Sequence, residues 1–439
     1  MSSRKTSAVF ALESPQPRCG TSFLRRSLRR GACSLVLICM ATVGAFAQST
    51  TFDLVLSFDL TDGSGPDAAL IQATDGTFYG TTEYGDSCGT VFRMTPSGAL
   101  TVLHTFEDSD GCLPSAPLLE VDSNFYGTTA YGGSNCPPGG CGTIFRITAE
   151  GVFTTVFNFG GADGIGPGAG LLQGNDGNFY STTIWGGTNY ECISGCGTIF
   201  KLTPAGELTT LYDFCSQPNC TDGWYPVSAL VQTADGSFYG TTKAGGANPP
   251  DGCGYGYCGT IFKLSSAGAL TTLYSFCSQP NCTDGSAPEA SLLLGWDGNF
   301  YGTTSFGGAN GYGTVFKITS AGELTTLHSF DFNDGAFPSA GLVQGTDGYF
   351  YGTTTIGGTG PCDFSGCGTV FQITSAGAFT TLHKFVYWDG RDPAGGLVEA
   401  ADGSFYGTTQ NGGSYCNYGN GCGTVFRLGV VDSCTACRP

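Results

Sequence analysis

Three histidines are the first candidates for acid-base chemistry in this chain of 439 residues, because an imidazole titrates near neutral pH. His104, His328 and His383 each stand two residues before a Phe at the end of a Thr-rich segment. Other copies of that segment carry an aromatic residue at the same place: Phe157, Tyr212 and Tyr274. A position that accepts Phe or Tyr is a packing position, so we expect these histidines to be structural. The sequence contains no nucleophile elbow, phosphate-binding loop or histidine-based metal motif.

Carboxylates recur in a second pattern, Asp-Gly-x-x-Pro. Its seven aspartates are Asp62, Asp110, Asp163, Asp222, Asp284, Asp334 and Asp389. Asp-Gly favours a turn, and Pro begins an extended segment without needing a ladder donor, so the pattern predicts loops that lead into strands. A ring of seven carboxylates near a channel mouth could also hold Ca²⁺, which prefers several oxygen ligands. The closely spaced Asp/Asn series of a dedicated calcium loop is missing, and we expect no other cofactor.

Further acidic residues fall outside the repeated patterns. They are Glu83, Asp86, Glu107, Glu191, Asp251, Glu289 and Asp331. Two carboxyl groups at a defined separation could cleave a glycosidic bond, but sequence alone does not give their separation. A polysaccharide-active hydrolase or lyase that uses these loop carboxylates is therefore an alternative function.

Aromatic side chains occupy the most variable loop positions. Two residues after each Thr-Thr pair the chain has Tyr84, Tyr131, Trp185, Ala244, Phe306, Ile356 and Asn411. The Asp-Gly loops add Trp224, Tyr225, Phe337, Tyr387 and Trp388. Aromatic rings beside Asn, Asp and Gly suit sugar rings or peptide ligands, although loop aromatic residues also pack over strand ends. The candidate binding residues are Tyr84, Tyr131, Trp185, Trp224, Tyr225, Phe306 and Trp388.

An eight-residue phrase at 235–242, Asp-Gly-Ser-Phe-Tyr-Gly-Thr-Thr, sets the positions of all these residues. Close copies place its tyrosine at Tyr79, Tyr126, Tyr180, Tyr239, Tyr301, Tyr351 and Tyr406. Seven copies at spacings of 47 to 62 residues indicate a solenoid, a propeller or an array.

Each repeat divides into four short strands that are rich in β-branched and aromatic residues and separated by Gly and Asp turns. In the fourth repeat, strands a to d are expected at 228–232, 238–242, 259–264 and 270–276. The seventh repeat stops after strand c at 424–428, and a matching strand d stands near the N-terminus at 51–58. A ring whose last blade is completed by that strand hides its open edges and ties the termini together. The sequence therefore predicts an all-β, monomeric, seven-bladed β-propeller over residues 48–432, with a short tail at 433–439.

Alternating strand direction places the a-to-b and c-to-d turns on one face and the b-to-c and d-to-a loops on the other, which we call the loop face. That face carries most of the 18 cysteines found after residue 47. The expected pairs are Cys88 with Cys112, Cys136 with Cys141, Cys192 with Cys196, Cys215 with Cys220, Cys253 with Cys258, Cys277 with Cys282, Cys362 with Cys367, Cys416 with Cys422 and Cys434 with Cys437. An even number of cysteines in an exported chain favours disulfides over metal sites. Bridges across such short loops fix loop shape, which makes this the candidate binding face.

Residues 1–47 read as a secretory signal, because four arginines at 25–30 precede an apolar run at 32–40 and a small-residue site before Gln48. Cleavage would leave 10 basic and 34 acidic residues, a net charge of −24 compared with −18 for the whole chain. Such a charge argues against nucleic acid and anionic membranes as partners. No later apolar run is long enough to span a bilayer, so we expect a secreted or periplasmic protein.

Close variants of DGxFYGTTxxGG, GTVFKIT and AGxLTTLHxF follow one another in the repeats, as in residues 347–385. This succession resembles the GloVer tandem-repeat family of exported bacterial proteins, and the likeness covers all seven repeats. The resemblance implies export and repetition and supplies no catalytic residues. The family is named for a variable C-terminal anchor, whereas residues 430–439 contain no hydrophobic sorting helix.

These patterns together predict a secreted, disulfide-braced propeller that binds an extracellular glycan or cell-surface component on its loop face without catalysis. The alternatives are the polysaccharide-active enzyme and a structural repeat scaffold that has no small-ligand site.

Overall fold

The computed structural model describes residues 49–431 except 86–87, 137, 190, 249–256, 360–361, 363–364 and 414–420. The expected signal at 1–47 and tail at 433–439 lie outside the described residues. The described chain forms seven four-stranded antiparallel sheets, which confirms the seven-bladed propeller. We number the blades 1 to 7 in chain order and keep the letters a to d for their strands.

Strands b and c form the centre of each blade because their Phe, Tyr, Val and Ile residues favour the β conformation. Strands b, in blade order, are Phe78–Thr82, Asn124–Thr129, Phe179–Thr183, Phe238–Thr242, Phe300–Thr304, Phe350–Thr354 and Phe405–Thr409. Strands c are Thr90–Met94, Thr143–Thr148, Thr198–Leu202, Thr260–Leu264, Thr314–Ile318, Thr369–Ile373 and Thr424–Val431. The glycine of strand b in blade 4 is required, since a Cβ at Gly240 would lie 2.6 Å from the ring of Phe262.

Strand a, the innermost, is shorter than the five residues that the sequence predicts. Strands a are Ile71–Gln72, Leu119–Val121, Leu172–Gln173, Val231–Gln232, Leu293–Leu294, Val343–Gln344 and Val398–Glu399. The residues just before them bond to neighbouring blades instead: the backbone N–H of Ala229 donates to Ser291 Oγ at 3.0 Å. The residues before strand a therefore do not extend its backbone hydrogen bonding with strand b of the same blade.

Strand d is the outermost strand, and in blade 7 the N-terminus supplies it. Strands d are Leu100–Thr105, Phe153–Asn158, Leu208–Asp213, Leu270–Ser275, Leu324–Ser329, Phe379–Lys384 and, for blade 7, Ser49–Ser57. Ser49–Ser57 pairs antiparallel with Thr424–Val431, with Phe52 opposite Leu428. This pairing confirms that the N-terminal strand closes the ring. Two short 3-10 turns, Pro218–Cys220 and Pro280–Cys282, lie in d-to-a loops.

The hydrophobic core lies between adjacent blades. The aromatic pair of strand b reaches across each junction, as where the rings of Tyr79 and Phe125 stack with centroids 3.8 Å apart. Tyr301 and Phe350 make the same contact at 4.0 Å. The repeated phrase thus packs each blade against the next.

Six of the expected cysteine pairs form disulfides. They are Cys88–Cys112, Cys136–Cys141, Cys192–Cys196, Cys215–Cys220, Cys277–Cys282 and Cys362–Cys367. Several disulfides point to an oxidising extracellular or periplasmic environment.

The other three expected pairs fall partly or wholly on residues that the structure does not describe. Cys258 and Cys422 are disulfide-bonded, but their expected partners, Cys253 and Cys416, lie outside the described residues. Both members of the last pair, Cys434 and Cys437, also lie outside the described residues, so a bridge between Cys434 and Cys437 stays a prediction.

Membrane-crossing helices were not expected after residue 47. Among the described residues there is no helix of the length and apolarity that a membrane crossing requires.

Candidate functional site

A short backbone bridge on the loop face holds the variable aromatic position in every blade. The bridges are Ser64–Tyr84, Cys112–Tyr131, Ile165–Trp185, Trp224–Ala244, Ser286–Phe306, Ala336–Ile356 and Arg391–Asn411. Because the backbone is the same each time, the side chain at this position can change without altering the blade. Variation here therefore changes the loop surface and leaves the fold intact.

Four of the seven candidate residues come together across blades 2 to 4. The ring of Trp185 lies 6.2 Å from Tyr131 and 6.4 Å from Tyr225, measured between centroids. Trp224 and Tyr225 meet edge to face at 4.2 Å. We call this group, Tyr131, Trp185, Trp224 and Tyr225, the aromatic arc.

One end of the arc opens into a cleft of about 880 Å³ between blades 3 and 4. Described residues that line it are Glu191, Cys192, Ile193, Asn219, Cys220, Thr221, Trp224, Tyr225, Gly245, Gly246, Ala247, Asn248, Tyr257 and Cys258. Tyr257 faces Trp224 with ring centroids 6.4 Å apart, and Lys243 Nζ lies 5.1 Å from the Tyr257 centroid. Aromatic walls with a few polar groups are typical of small-ligand sites.

Disulfides brace the walls of this cleft. Cys192–Cys196 closes the b-to-c loop of blade 3, and Cys215–Cys220 closes the loop that enters blade 4. The sulfur atoms of Cys192, Cys215 and Cys220 lie within 4.8 Å of one another. The two bridges therefore lie side by side, and each closes one of the two loops.

The other three candidate residues lie apart from the arc. Tyr84 is 49 % exposed, and Trp388 is 70 % exposed beside Tyr387. Phe306 packs on Phe337 with centroids 5.1 Å apart. The structure does not bring these three into one site.

Most Asp-Gly aspartates bind a side chain of the strand d that immediately precedes them in the chain. The bonded pairs are His104–Asp110 (3.1 Å), Tyr212–Asp222 (2.8 Å), Tyr274–Asp284 (2.8 Å), His328–Asp334 (2.8 Å) and His383–Asp389 (3.1 Å). Strand d has the apolar Leu56 or Phe157 at that place before Asp62 and Asp163. None of these aspartates is among the described residues that line the channel cavity, so a Ca²⁺ ring formed by them stays a prediction.

The three histidines pack as the repeat comparison predicts. Each imidazole stacks on a Phe of the next blade, with centroid distances of 3.9 Å for His104–Phe153, 3.9 Å for His328–Phe379 and 3.6 Å for His383–Phe52. Their bond to Asp was not predicted. The sequence contained a signal for it, since the His and Tyr residues at this repeat position can both donate a hydrogen bond to the Asp that follows.

The central channel has a cavity of about 370 Å³ and is lined mainly by Ala, Ser and Gly. Its charged lining residues are Asp67 and Glu289. Glu289 forms an ion pair with Lys243 of blade 4 and accepts a hydrogen bond from Ser305 Oγ at 2.9 Å. Burial raises the pKa of Asp67 to about 7, and the negative charge of Glu83 adds to the rise.

Sequence comparison assigns the family of this propeller. The Gloeobacter/Verrucomicrobia repeat matches residues 41–252 and 250–435. The chain belongs to this repeat family. It has no match among the curated proteins with which it was compared.

Solved structures resemble this repeat-family member only distantly. The periplasmic gluconolactonase PpgL of Pseudomonas aeruginosa is 16 % identical, with a TM-score of 0.46, over 72 % of this chain and 84 % of that one. The PQQ-bound aldose sugar dehydrogenase of Streptomyces coelicolor is 14 % identical, with a TM-score of 0.42, over 87 % and 99 %. A protein from Lactobacillus plantarum is 16 % identical, with a TM-score of 0.48, over 74 % and 85 %. Likenesses this distant carry no argument about activity.

The loop carboxylates of this family member are dispersed. Glu191 lines the cleft, while Glu289 lines the channel. Asp331 accepts backbone N–H groups of its own turn, and Glu107 lies in the loop after strand d of blade 1. Asp86 and Asp251 lie outside the described residues. Sequence reasoning missed Tyr257 and Asp67, although Asp67 was marked by its place beside the Pro of the Asp-Gly loop.

Proposed function

We propose that this exported propeller binds a glycan in the cleft between blades 3 and 4 and does not catalyse its cleavage. The observation that carries this proposal is the continuity of the aromatic arc with the cleft of about 880 Å³. Aromatic faces stack on the apolar faces of sugar rings, and neighbouring polar groups orient their hydroxyls.

The cleft offers both kinds of group. Trp224, Tyr225 and Tyr257 supply rings, and Thr221 and Glu191 supply polar atoms on the same lining. The two neighbouring disulfides keep the walls in place, which lowers the entropic cost of ordering loops around a ligand.

Charge narrows the class of glycan. Residues after the expected signal carry a net charge of −24, and the described lining contains Glu191 without a Lys or Arg. Like charges repel at contact distance, so neutral polysaccharides fit this surface better than sulfated or uronic ones.

The test is to incubate the purified protein, after signal removal, with neutral and anionic polysaccharides. Retained protein and newly released reducing ends are both recorded. We expect retention on a neutral polymer with no release. Trp224→Ala should weaken retention about tenfold or more, because it removes one aromatic contact that the bound glycan would bury.

Trp296→Ala is the matched control. Trp296 is 69 % exposed and lies in the a-to-b turn of blade 5, on the face away from the loops. Equal retention of Trp224→Ala and wild type would overturn this placement of the site. Release of reducing ends would overturn the non-catalytic assignment and direct mutagenesis to the loop carboxylates.

A further inference from the structure

Blade 1 carries an acidic residue at both positions that flank the channel mouth. The first position follows the Pro of each Asp-Gly loop and holds Asp67, Ser115, Gly168, Val227, Glu289, Ser339 and Ala394. The second follows each Thr-Thr pair and holds Glu83, Ala130, Ile184, Lys243, Ser305, Thr355 and Gln410. Because the other six blades form without two acids, the fold does not require the pair in blade 1.

The two acids are close to each other, and no cation offsets their charge among the described residues. The N–H of Glu83 donates to Gly65 O at 3.0 Å, which places Glu83 beside the segment that leads to Asp67. Gln410 Nε2 donates to Glu83 Oε2 at 3.3 Å. The described residues give the Asp67 carboxylate neither a hydrogen bond nor a basic partner, whereas Lys243 neutralises Glu289.

A second, independent feature lies at the same place. In blades 2 to 7 the first Thr of the pair donates to a carbonyl of the next blade: Thr128 to Ala169, Thr182 to Ser228, Thr241 to Ala290, Thr303 to Ala340, Thr353 to Gly395 and Thr408 to Ala68. Thr81 of blade 1 is 2 % exposed, and its Oγ1 has no partner among the described residues. Thr81 is the penultimate residue of strand b in blade 1 and stands two residues before Glu83.

We propose that Asp67 and Glu83, with the side-chain oxygens of Thr81 and Gln410, form a Ca²⁺ site at the blade 1 side of the channel. All four groups offer oxygen atoms, which Ca²⁺ takes in sets of six to eight, with water completing the set. The cation would neutralise two partly buried carboxylates that the described residues leave without a basic partner. This site lies apart from the glycan cleft and does not depend on glycan binding.

The experiment is thermal unfolding of the chelator-treated protein during titration with CaCl2 at constant ionic strength, with calorimetry as a second measure of affinity. We expect a saturable rise in Tm, because at a Ca²⁺ concentration of about 100 Kd the folded state gains about 100-fold over the unfolded state. Mg²⁺ should give a much smaller rise, since it demands near-octahedral geometry. Equal responses to both ions would show general charge screening and overturn the site.

Two variants remove the ligands and one serves as a control. Asp67→Asn and Glu83→Gln should each lose the Ca²⁺ response, and Asp67→Asn in chelator should melt no lower than wild type because it relieves like-charge repulsion. Asp284→Asn makes the same chemical change at an aspartate bound to Tyr274, so it should melt lower but keep the response. An undiminished Ca²⁺ response in Asp67→Asn, or none in wild type, would refute the proposal.

Discussion

The imidazole of His383 lies flat on the ring of Phe52, with centroids 3.6 Å and planes 6° apart. His383 belongs to blade 6, whereas Phe52 belongs to the N-terminal strand that completes blade 7. Phe52 also stacks on Phe426 of its own blade at 5.6 Å. A single aromatic side chain thus joins the closing strand to both blades at the point where the ring is sealed.

Truncation of that side chain should weaken ring closure. Phe52→Ala removes the stacking contacts with His383 and Phe426 and should lower the free energy of unfolding by about 2 to 3 kcal/mol, below the range for a fully buried Phe because Phe52 is only partly buried. Thr51→Ala, at an exposed position of the same strand, should change it by less than about 0.5 kcal/mol. Chemical denaturation measures both, and equal effects would show that closure does not depend on this ring.

Acid should destabilise the loop between blades 5 and 6 through Asp334. Burial opposes ionisation of this carboxyl, but hydrogen bonds from His328 and from the Asp331 backbone outweigh burial and hold its pKa below the ordinary value. A lowered pKa in the folded state adds stability above the unfolded pKa of about 4, and this stability is lost as pH falls through the folded value. Asp334→Asn should therefore melt below wild type at neutral pH, with a gap that closes in acid.

Thermal unfolding from about pH 2 to 7 checks this sign. In the wild type His328 stacks on Phe379 with ring centroids 3.9 Å apart. His328→Phe can retain this stacking but loses the hydrogen bond to Asp334. It should therefore lose less stability in acid than wild type. If Asp334→Asn differs from wild type by a constant amount at every pH, the carboxylate is not the group responsible.

The buried Asp222 should depend on the hydroxyl of Tyr212. Tyr212 Oη donates to Asp222 at 2.8 Å, and Asp222 is 0 % exposed. Tyr212→Phe leaves a buried carboxylate with one hydrogen bond fewer and should cost about 1 to 3 kcal/mol in the free energy of unfolding. Tyr312→Phe, on a partly exposed loop tyrosine, serves as the control in chemical denaturation. If Tyr212→Phe leaves the free energy of unfolding unchanged, backbone N–H groups alone satisfy the hydrogen-bonding needs of the Asp222 carboxylate.

The sequence predicts the propeller because the interactions that form a blade involve residues close together in the chain. The phrase at 235–242 combines a turn, two aromatic residues, a glycine that must fit over Phe262 and a Thr pair, so each copy specifies strand b and its contact with the next blade. The closing strand is also readable, since repeat seven lacks strand d and the N-terminus supplies it. Strand a was overestimated because hydrogen bonds between blades replace its ladder.

The site is less predictable because it arises between repeats. That Trp185 meets Tyr225 depends on the spacing of blades 3 and 4, which no local pattern encodes. Tyr257 stands in a loop of unique length, so no repeat comparison could single it out. The charge of Asp67 is visible in the sequence, but its partial burial beside Glu83 is a property of the closed ring.

The two disulfides at the cleft should matter more for binding than for global stability. Bridges that span only a few residues remove little chain entropy from the unfolded state, whereas Cys192–Cys196 and Cys215–Cys220 each fix the shape of a loop that lines the cleft. Replacing both cysteines of Cys215–Cys220 with Ser should weaken retention on the neutral glycan about tenfold with a small change in Tm.

The same double substitution at Cys362–Cys367, in the b-to-c loop of blade 6, is the matched control. Its loop is closed over the same sequence separation of 5 residues as that of Cys215–Cys220, so the two variants should lose similar stability. Binding should fall only in the Cys215 and Cys220 variant, because Cys220 lines the cleft whereas the described residues of the blade 6 loop do not. If both variants lose binding in proportion to their loss of Tm, the bridges act by stabilising the whole ring. In that case they do not rigidify the cleft specifically.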